Sequence, residues 1–195
     1  MVNNQQKIIK IALFGTSADP PTAAHRAILQ WLCDRYDWVA VWASDNPFKG
    51  EQTPLEHRME MLRLSIEDIN TPRKNIGVYE ELSHLRSLLS VEKAKEIWGN
   101  EAEYTLVIGS DLISQMRRWY RIEELLKQVQ ILAIPRPGYP IKEEDLEALC
   151  SLGGKYSIAN LEVPAVSSTA YRDNKDKDVI PGLVKDYINQ KKLYL

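Results

Sequence analysis

The sequence predicts an α/β protein, Rossmann-like, with an open, mainly parallel sheet and helices on both faces. Three observations predict it. Short apolar runs ended by glycine or proline alternate with longer amphipathic stretches along the whole chain. The leading run is apolar rather than alternating with polar residues, as in a strand buried on both faces. A length of 195 residues with 44% hydrophobic and 27% charged residues suits one soluble domain with its own core.

The elements follow in order. Residues 8–14, with Ile8, Ile9, Ile11, Leu13 and Phe14, read as a strand ended by Gly15. Pro20 and Pro21 punctuate the next loop, and 23–36 shows a helical face of Ile28, Leu29, Trp31 and Leu32. Residues 38–44 form a second strand through Val39 and Val41, closed by Asp45, Asn46 and Pro47. Pro54 suits the first turn of a helix in which Leu55, Met59, Leu62 and Ile66 recur. The rhythm continues with a strand at 76–79, a helix at 90–98 and a strand at 104–108 ended by Gly109. A helix at 122–127, a strand at 129–134, a helix at 143–152 and a weaker strand at 156–163 come next. The last helix spans 183–192, after Pro181, and the charged stretch 173–178 reads as a solvated turn. Strands separated by helices pair in parallel through right-handed crossovers.

Composition narrows the function. Lys plus Arg total 25 and Asp plus Glu 27, for a net charge of −2. That balance lacks the basic stripe of a nucleic-acid binder. No segment approaches the roughly 18 apolar residues of a membrane span, and Lys10 interrupts what would be a signal-peptide core. A cytoplasmic protein is expected. Cys33 and Cys150 stand far apart, which argues against a disulfide scaffold or a Cys-rich zinc site; both are expected as reduced, semi-buried thiols. Oligomeric state is left open, a homo-oligomer included.

Ligands of open parallel sheets bind at the carboxyl ends of strands. After the first strand comes Gly15-Thr16-Ser17-Ala18-Asp19-Pro20-Pro21-Thr22-Ala23-Ala24-His25, which has neither a P-loop nor a dinucleotide fingerprint. It still offers small hydroxyl residues and a helix N-terminus, the ingredients of an anion site. Thr22 and His25 lie three apart and share a side. Read blandly, Asp19 or Thr22 caps the helix and His25 is a surface histidine. Near the other end, Ser167-Ser168-Thr169 opens a helix, and Arg172 returns to the same face one turn later. Hydroxyls and a guanidinium fork in that arrangement make a phosphate clamp, or simply an N-cap.

Together the two motifs resemble a known pair. Gly15 to His25 is similar to the variant HIGH signature G-G-S-F-D-P-x-H/T-x-G-H of nucleotidylyltransferases, and 167–172 to its partner I-S-S-T-x-x-R. Between them Val107-Ile108-Gly109-Ser110-Asp111-Leu112 resembles I-I-G-A-D-S/L. Arg118-Trp119 with Glu123-Glu124-Leu125-Leu126 resembles R-W-x-x-x-E-E-L-L, and residues 135–139 match P-R-P-G-Y. The ending 183–195 resembles V-x-x-Y-I-x-x-x-x-L-Y. In that order, over nearly the whole chain, these segments resemble the bacterial nicotinate-nucleotide adenylyltransferase family. The departures are Thr22 where many members have histidine, Ala24 for glycine and Ala18 for phenylalanine. No S-Y-T-x-x-T segment is recognisable in 85–92.

The resemblance implies a single domain over 1–195, its part from about 165 to 195 carrying the phosphate clamp and final helix. It implies adenylyl transfer from ATP, with Mg²⁺, to nicotinate mononucleotide, without a general base or covalent intermediate. Catalytic roles then fall to His25, Thr22, Lys49 and Arg172. Gly15, Thr16, Ser17, Gly109, Asp111, Ser168 and Thr169 join His25 and Arg172 around ATP. Lys49 and Trp119 would meet the pyridine nucleotide, and no protein metal ligands are implied. Because the S-Y-T segment is missing, nicotinamide mononucleotide stays open as acceptor. Another phosphorylated acceptor and a nucleotide-binding regulator without turnover are the further alternatives.

Overall fold

The computed structural model describes residues 8–44, 52–174 and 176–194, the side chain of Lys177 excepted. Six strands form one parallel sheet: β1 (Lys10–Thr16), β2 (Trp38–Ala43), β3 (Ile76–Val78), β4 (Glu103–Gly109), β5 (Gln130–Ile134) and β6 (Tyr156–Ile158). The helices are α1 (Ala23–Cys33), α2 (Leu55–Glu67), α3 (Ser87–Trp98), α4 (Ile122–Gln128), α5 (Glu143–Ser151), α6 (Ser168–Asn174) and α7 (Gly182–Lys191).

The strand order is β3-β2-β1-β4-β5-β6. The chain runs outward from β1 to β3, crosses back to β4 and runs outward the other way. Right-handed crossovers therefore put α1 and α2 on one face, and α3, α4 and α5 on the other. Contacts between α1 and α2, and between α3 and α4, agree with that division. The central strands are apolar on both faces: Ile11, Ala12 and Leu13 in β1, Val39 through Ala43 in β2, and Ile131 through Ile134 in β5 are all buried.

A second, smaller apolar cluster lies apart from the sheet core. Met61 of α2 meets Tyr171 of α6, Ile180, and Val184 and Ile188 of α7. The C-terminal helices thus pack their apolar faces on α2 rather than on the sheet.

Several expected boundaries move. The last strand stops at Ile158 instead of running to 163, and all three of its residues are exposed at the sheet edge. Leu161 and Val163 still pack against the core from the extended chain beyond it. α3 begins at Ser87, three residues early, and Ser90 inside it donates to the Leu82 carbonyl at 2.7 Å. A 3₁₀ stretch covers Ser110–Arg118, beyond the elements the sequence predicts. Within the expected solvated turn at 173–178, α6 runs on to Asn174, and a short 3₁₀ turn covers Lys177–Val179. Among the described residues no helix is long and apolar enough to cross a membrane.

Candidate active site

The sheet reverses direction of growth between β1 and β4, and the crevice opens there. β1 pairs with β2 out to Thr16–Ala43, but its ladder with β4 ends at Leu13–Leu106, three residues before either strand ends. The two strands therefore separate at their carboxyl ends, where such sheets take their ligands. Each carries a glycine there for a steric reason. A Cβ on Gly15 would lie 2.5 Å from the Trp42 ring, and one on Gly109 would lie 2.4 Å from Asp111 Oδ1.

On the β1 side, Thr22 is the N-cap of α1 and His25 reaches back to it. The Thr22 N–H donates to His25 Nδ1 at 3.1 Å, with the Thr22 hydroxyl 3.0 Å from the same nitrogen. This is the reciprocal half of a capping box, with histidine where glutamate or glutamine is usual. An amide N–H has no choice but to donate, so Nδ1 accepts. The ring proton of the neutral imidazole then sits on Nε2, 3.0 Å from Thr16 Oγ1 at the tip of β1. Thr22 is completely buried and His25 half-buried, so the ring is fixed at its base and presents an N–H donor toward the strand end.

The C-terminal motif closes on the same loop. Ser168 Oγ donates to the Pro20 carbonyl at 2.7 Å, and Arg172 Nη1 donates to the Asp19 carbonyl. Arg172 Nη2 also reaches Thr169 Oγ1 at 3.4 Å. The loop between β1 and α1, at Asp19 and Pro20, thereby joins Ser168 and Arg172 of the second motif to the first. Ala18 adopts φ 45° within that loop, a left-handed backbone unusual for a residue with a side chain.

Across the crevice, Asp111 folds back over Gly109. Its Oδ2 accepts from Arg136 Nη1 at 3.0 Å, while its buried Oδ1 has no hydrogen-bond partner among the described residues. A buried carboxylate oxygen without a partner is rare in folded proteins. The N-cap of the following stretch is Gly109.

Comparison with known proteins decides what this crevice belongs to. The cytidylyltransferase-like family profile matches residues 13–174. A Synechocystis protein named "Probable nicotinate-nucleotide adenylyltransferase" is 48% identical over 95% of this chain and 99% of its own length. The chain belongs to the nicotinate-nucleotide adenylyltransferases. It is accordingly a nucleotidyltransferase of NAD biosynthesis. The Bacillus subtilis nicotinate-nucleotide adenylyltransferase is 27% identical over 95% of this chain and 98% of its own. The fold matches a solved Plasmodium falciparum nicotinic acid mononucleotide adenylyltransferase complexed with NaAD, with a TM-score of 0.81 at 23% identity, covering 95% of this chain and 97% of that one.

Trp119 is half-buried against the main core, and beside it the exposed Tyr120 ring carries the Arg86 guanidinium 4.0 Å from its centroid. Lys49 lies outside the described residues. Arg117 and Arg118 are exposed. Among the described residues no three His, Cys, Asp or Glu side chains gather as a metal site. A shallow cavity of about 310 Å³, lined in part by Glu103, Lys127, Gln130 and Lys155, lies at the opposite, amino ends of β4 and β5, away from the crevice.

Sequence reasoning missed Arg58. It is 1% exposed, and it donates to the carbonyls of Ser17 at 3.2 Å, Ser44 at 2.7 Å and Thr53 at 2.8 Å. One guanidinium thereby joins the loop after β1, the end of β2 and the entry to α2. A signal was available: Arg58 shares the core-facing phase of Leu55, Met59 and Leu62. The cysteines also need correction. Cys33 is buried, and burial pushes its thiol up to about 11, whereas Cys150 is exposed rather than semi-buried because α5 turns Leu149 inward.

Proposed function

We propose that the crevice transfers the adenylyl group of Mg-ATP to nicotinate mononucleotide, giving nicotinate adenine dinucleotide and pyrophosphate. A phosphate oxygen of the mononucleotide attacks the α-phosphorus, and the bond to the β-phosphate oxygen breaks with its electron pair leaving on pyrophosphate. The attacking monoester is already largely ionised at neutral pH, its second pKa being about 6, so no general base is needed. What the protein must supply is alignment and donors for the growing charge.

The observation that carries this reading is the held imidazole of His25. With Nδ1 anchored on Thr22, its Nε2–H is a preorganised neutral donor for an α-phosphate oxygen. In this reading the Thr22 hydroxyl stands where many relatives have a second imidazole. Arg172, with Ser168 and Thr169, takes the β- and γ-phosphates, and Lys49 bridges the two substrates' phosphates. Gly15, Thr16 and Ser17 line the path of the triphosphate. Gly109 leaves room for Asp111, whose unpartnered Oδ1 accepts from a ribose hydroxyl. Trp119 is the platform for the pyridine ring. Mg²⁺ enters as part of the substrate, carried on the phosphates.

Arg86 supports the acid over the amide as acceptor. It sets a guanidinium against Tyr120, next to Trp119, at the start of the helix where an S-Y-T segment was expected. A cation there favours the carboxylate of nicotinate over a neutral amide. We also read 1–195 as one domain working in the cytoplasm; its two unpaired cysteines suit a reducing compartment.

The test is pyrophosphate release from Mg-ATP with nicotinate mononucleotide and nicotinamide mononucleotide side by side. Strong preference for the acid is the expected result. Preference for the amide would transfer the reading to that acceptor, and no release with either would overturn it.

A further inference from the structure

Beneath the proposed phosphate site lies an acid that the chemistry does not use. Asp19 is 4% exposed, and its own carbonyl accepts from Arg172. A carboxylate so near that guanidinium is a hazard to phosphate binding. Free to turn, it would draw Arg172 into a two-point ion pair, stronger than the bond Arg172 makes to a neutral main-chain oxygen. It would then occupy the donors meant for the nucleotide.

The fold holds the carboxylate with other donors. Tyr194, 175 residues away in sequence, donates its hydroxyl to Asp19 Oδ1 at 2.6 Å. The Thr53 N–H donates to Oδ2 at 3.3 Å. The carbonyl of Asp19 is left facing Arg172. The backbone is left-handed on both sides of this contact, at Tyr194 (φ 58°) and at Ala18 (φ 45°) immediately before Asp19. The Tyr194 ring packs edge-on to Tyr171, the neighbour of Arg172, with centroids 5.9 Å apart. Burial first, and then the bond to Asp19, push the phenol pKa upward, so the hydroxyl stays protonated and remains a donor.

We propose that Tyr194 is a positioning residue for adenylyl transfer: its hydroxyl keeps the Asp19 carboxylate off Arg172, leaving that guanidinium to the phosphates of ATP. The inference rests on the ATP site proposed above.

Mg-ATP titrated calorimetrically into the full chain tests it without any acceptor. Tyr194→Phe keeps the ring and removes one hydroxyl. Its Kd for Mg-ATP should rise about tenfold, the scale of a charge-assisted hydrogen bond. In steady state the KM for Mg-ATP should rise alike, while kcat and the KM for nicotinate mononucleotide hold. In an Asp19→Asn background no carboxylate is left to restrain, so Tyr194→Phe should change the ATP Kd little. An ATP Kd equal to the parent's, or a tenfold loss that persists beside Asp19→Asn, would overturn the inference while the ATP site stands. A parent that binds no Mg-ATP would overturn the site and the inference together. Should Tyr194→Phe fail to fold, Asp19→Asn alone decides: it should bind Mg-ATP at least as well as the parent, and a tenfold weakening would refute the role given to the carboxylate.

Discussion

Replacing His25 by asparagine separates two jobs that one imidazole performs. Nδ1 accepts from the Thr22 N–H at 3.1 Å, and Nε2 sits 3.0 Å from Thr16 Oγ1. An asparagine amide oxygen falls near the place of Nδ1 and can keep the cap, but no asparagine atom reaches the place of Nε2. The variant should therefore lose less than about 1 kcal/mol of stability. Its kcat should fall by about 10²–10³, the loss seen when one oxyanion donor is removed. His25→Ala loses both jobs. Because Thr22 is completely buried, its orphaned N–H should cost about 1–3 kcal/mol on top of the same catalytic loss. Pyrophosphate release at saturating Mg-ATP and nicotinate mononucleotide measures the first effect, and denaturant melts measure the second. An unchanged kcat in His25→Asn would refute the donor role of Nε2. Equal destabilisation by Asn and Ala would refute the cap at Nδ1.

Three other consequences are open to measurement. Gly109→Ala puts a Cβ 2.4 Å from Asp111 Oδ1 and 2.9 Å from Arg136 Cδ, so the carboxylate must swing away from its place over the crevice. The KM for Mg-ATP should rise about tenfold, the scale of a charge-assisted hydrogen bond, and an unchanged KM would separate Asp111 from the nucleotide. The thiols should differ at pH 8, with Cys150 reacting readily with a disulfide reagent and Cys33 staying protected in the native state. Cys33 also sets a pH dependence, its thiol rising from 9.0 to about 11 on folding. Between those values the unfolded thiol is ionised and the folded one is not, so the unfolded state binds fewer protons and stability falls as pH rises. Denaturant midpoints measured across that window should fall less in Cys33→Ala.

Most of the sheet is readable because its strands are short apolar runs with punctuation, and burial on both faces leaves that pattern unbroken. Boundaries slip where tertiary packing acts instead. The edge strand ends at Ile158, yet Leu161 and Val163 continue to bury apolar area as extended chain, so the pattern outlasts the hydrogen bonds. The 3₁₀ stretch at Ser110–Arg118 has its signature in Ile113 and Met116, buried three apart as that tighter helix requires. At the site, the closeness of Thr22 to His25 follows from local spacing alone. The meeting of residues 15–22 with Ser168 and Arg172 was legible only through the resemblance of both motifs to one family. The Tyr194–Asp19 bond carries no local signal, since it joins chain segments 175 residues apart.

The attachment of the C-terminal helices through Met61 has a thermodynamic meaning. The satellite cluster of Tyr171, Ile180, Val184 and Ile188 is far smaller than the sheet core, so it should open at lower free energy than the sheet unfolds. His25 stands on the larger cooperative unit and Arg172 on the smaller. In the proposed site a triphosphate gripped by both would be a rivet across the seam between them, and part of its binding energy would stabilise the closed satellite. Amide exchange should show this as slowing concentrated in α6 and α7 when Mg-ATP is added, with β1 nearly unmoved. Substrate, on this view, completes the tertiary structure of the enzyme that consumes it.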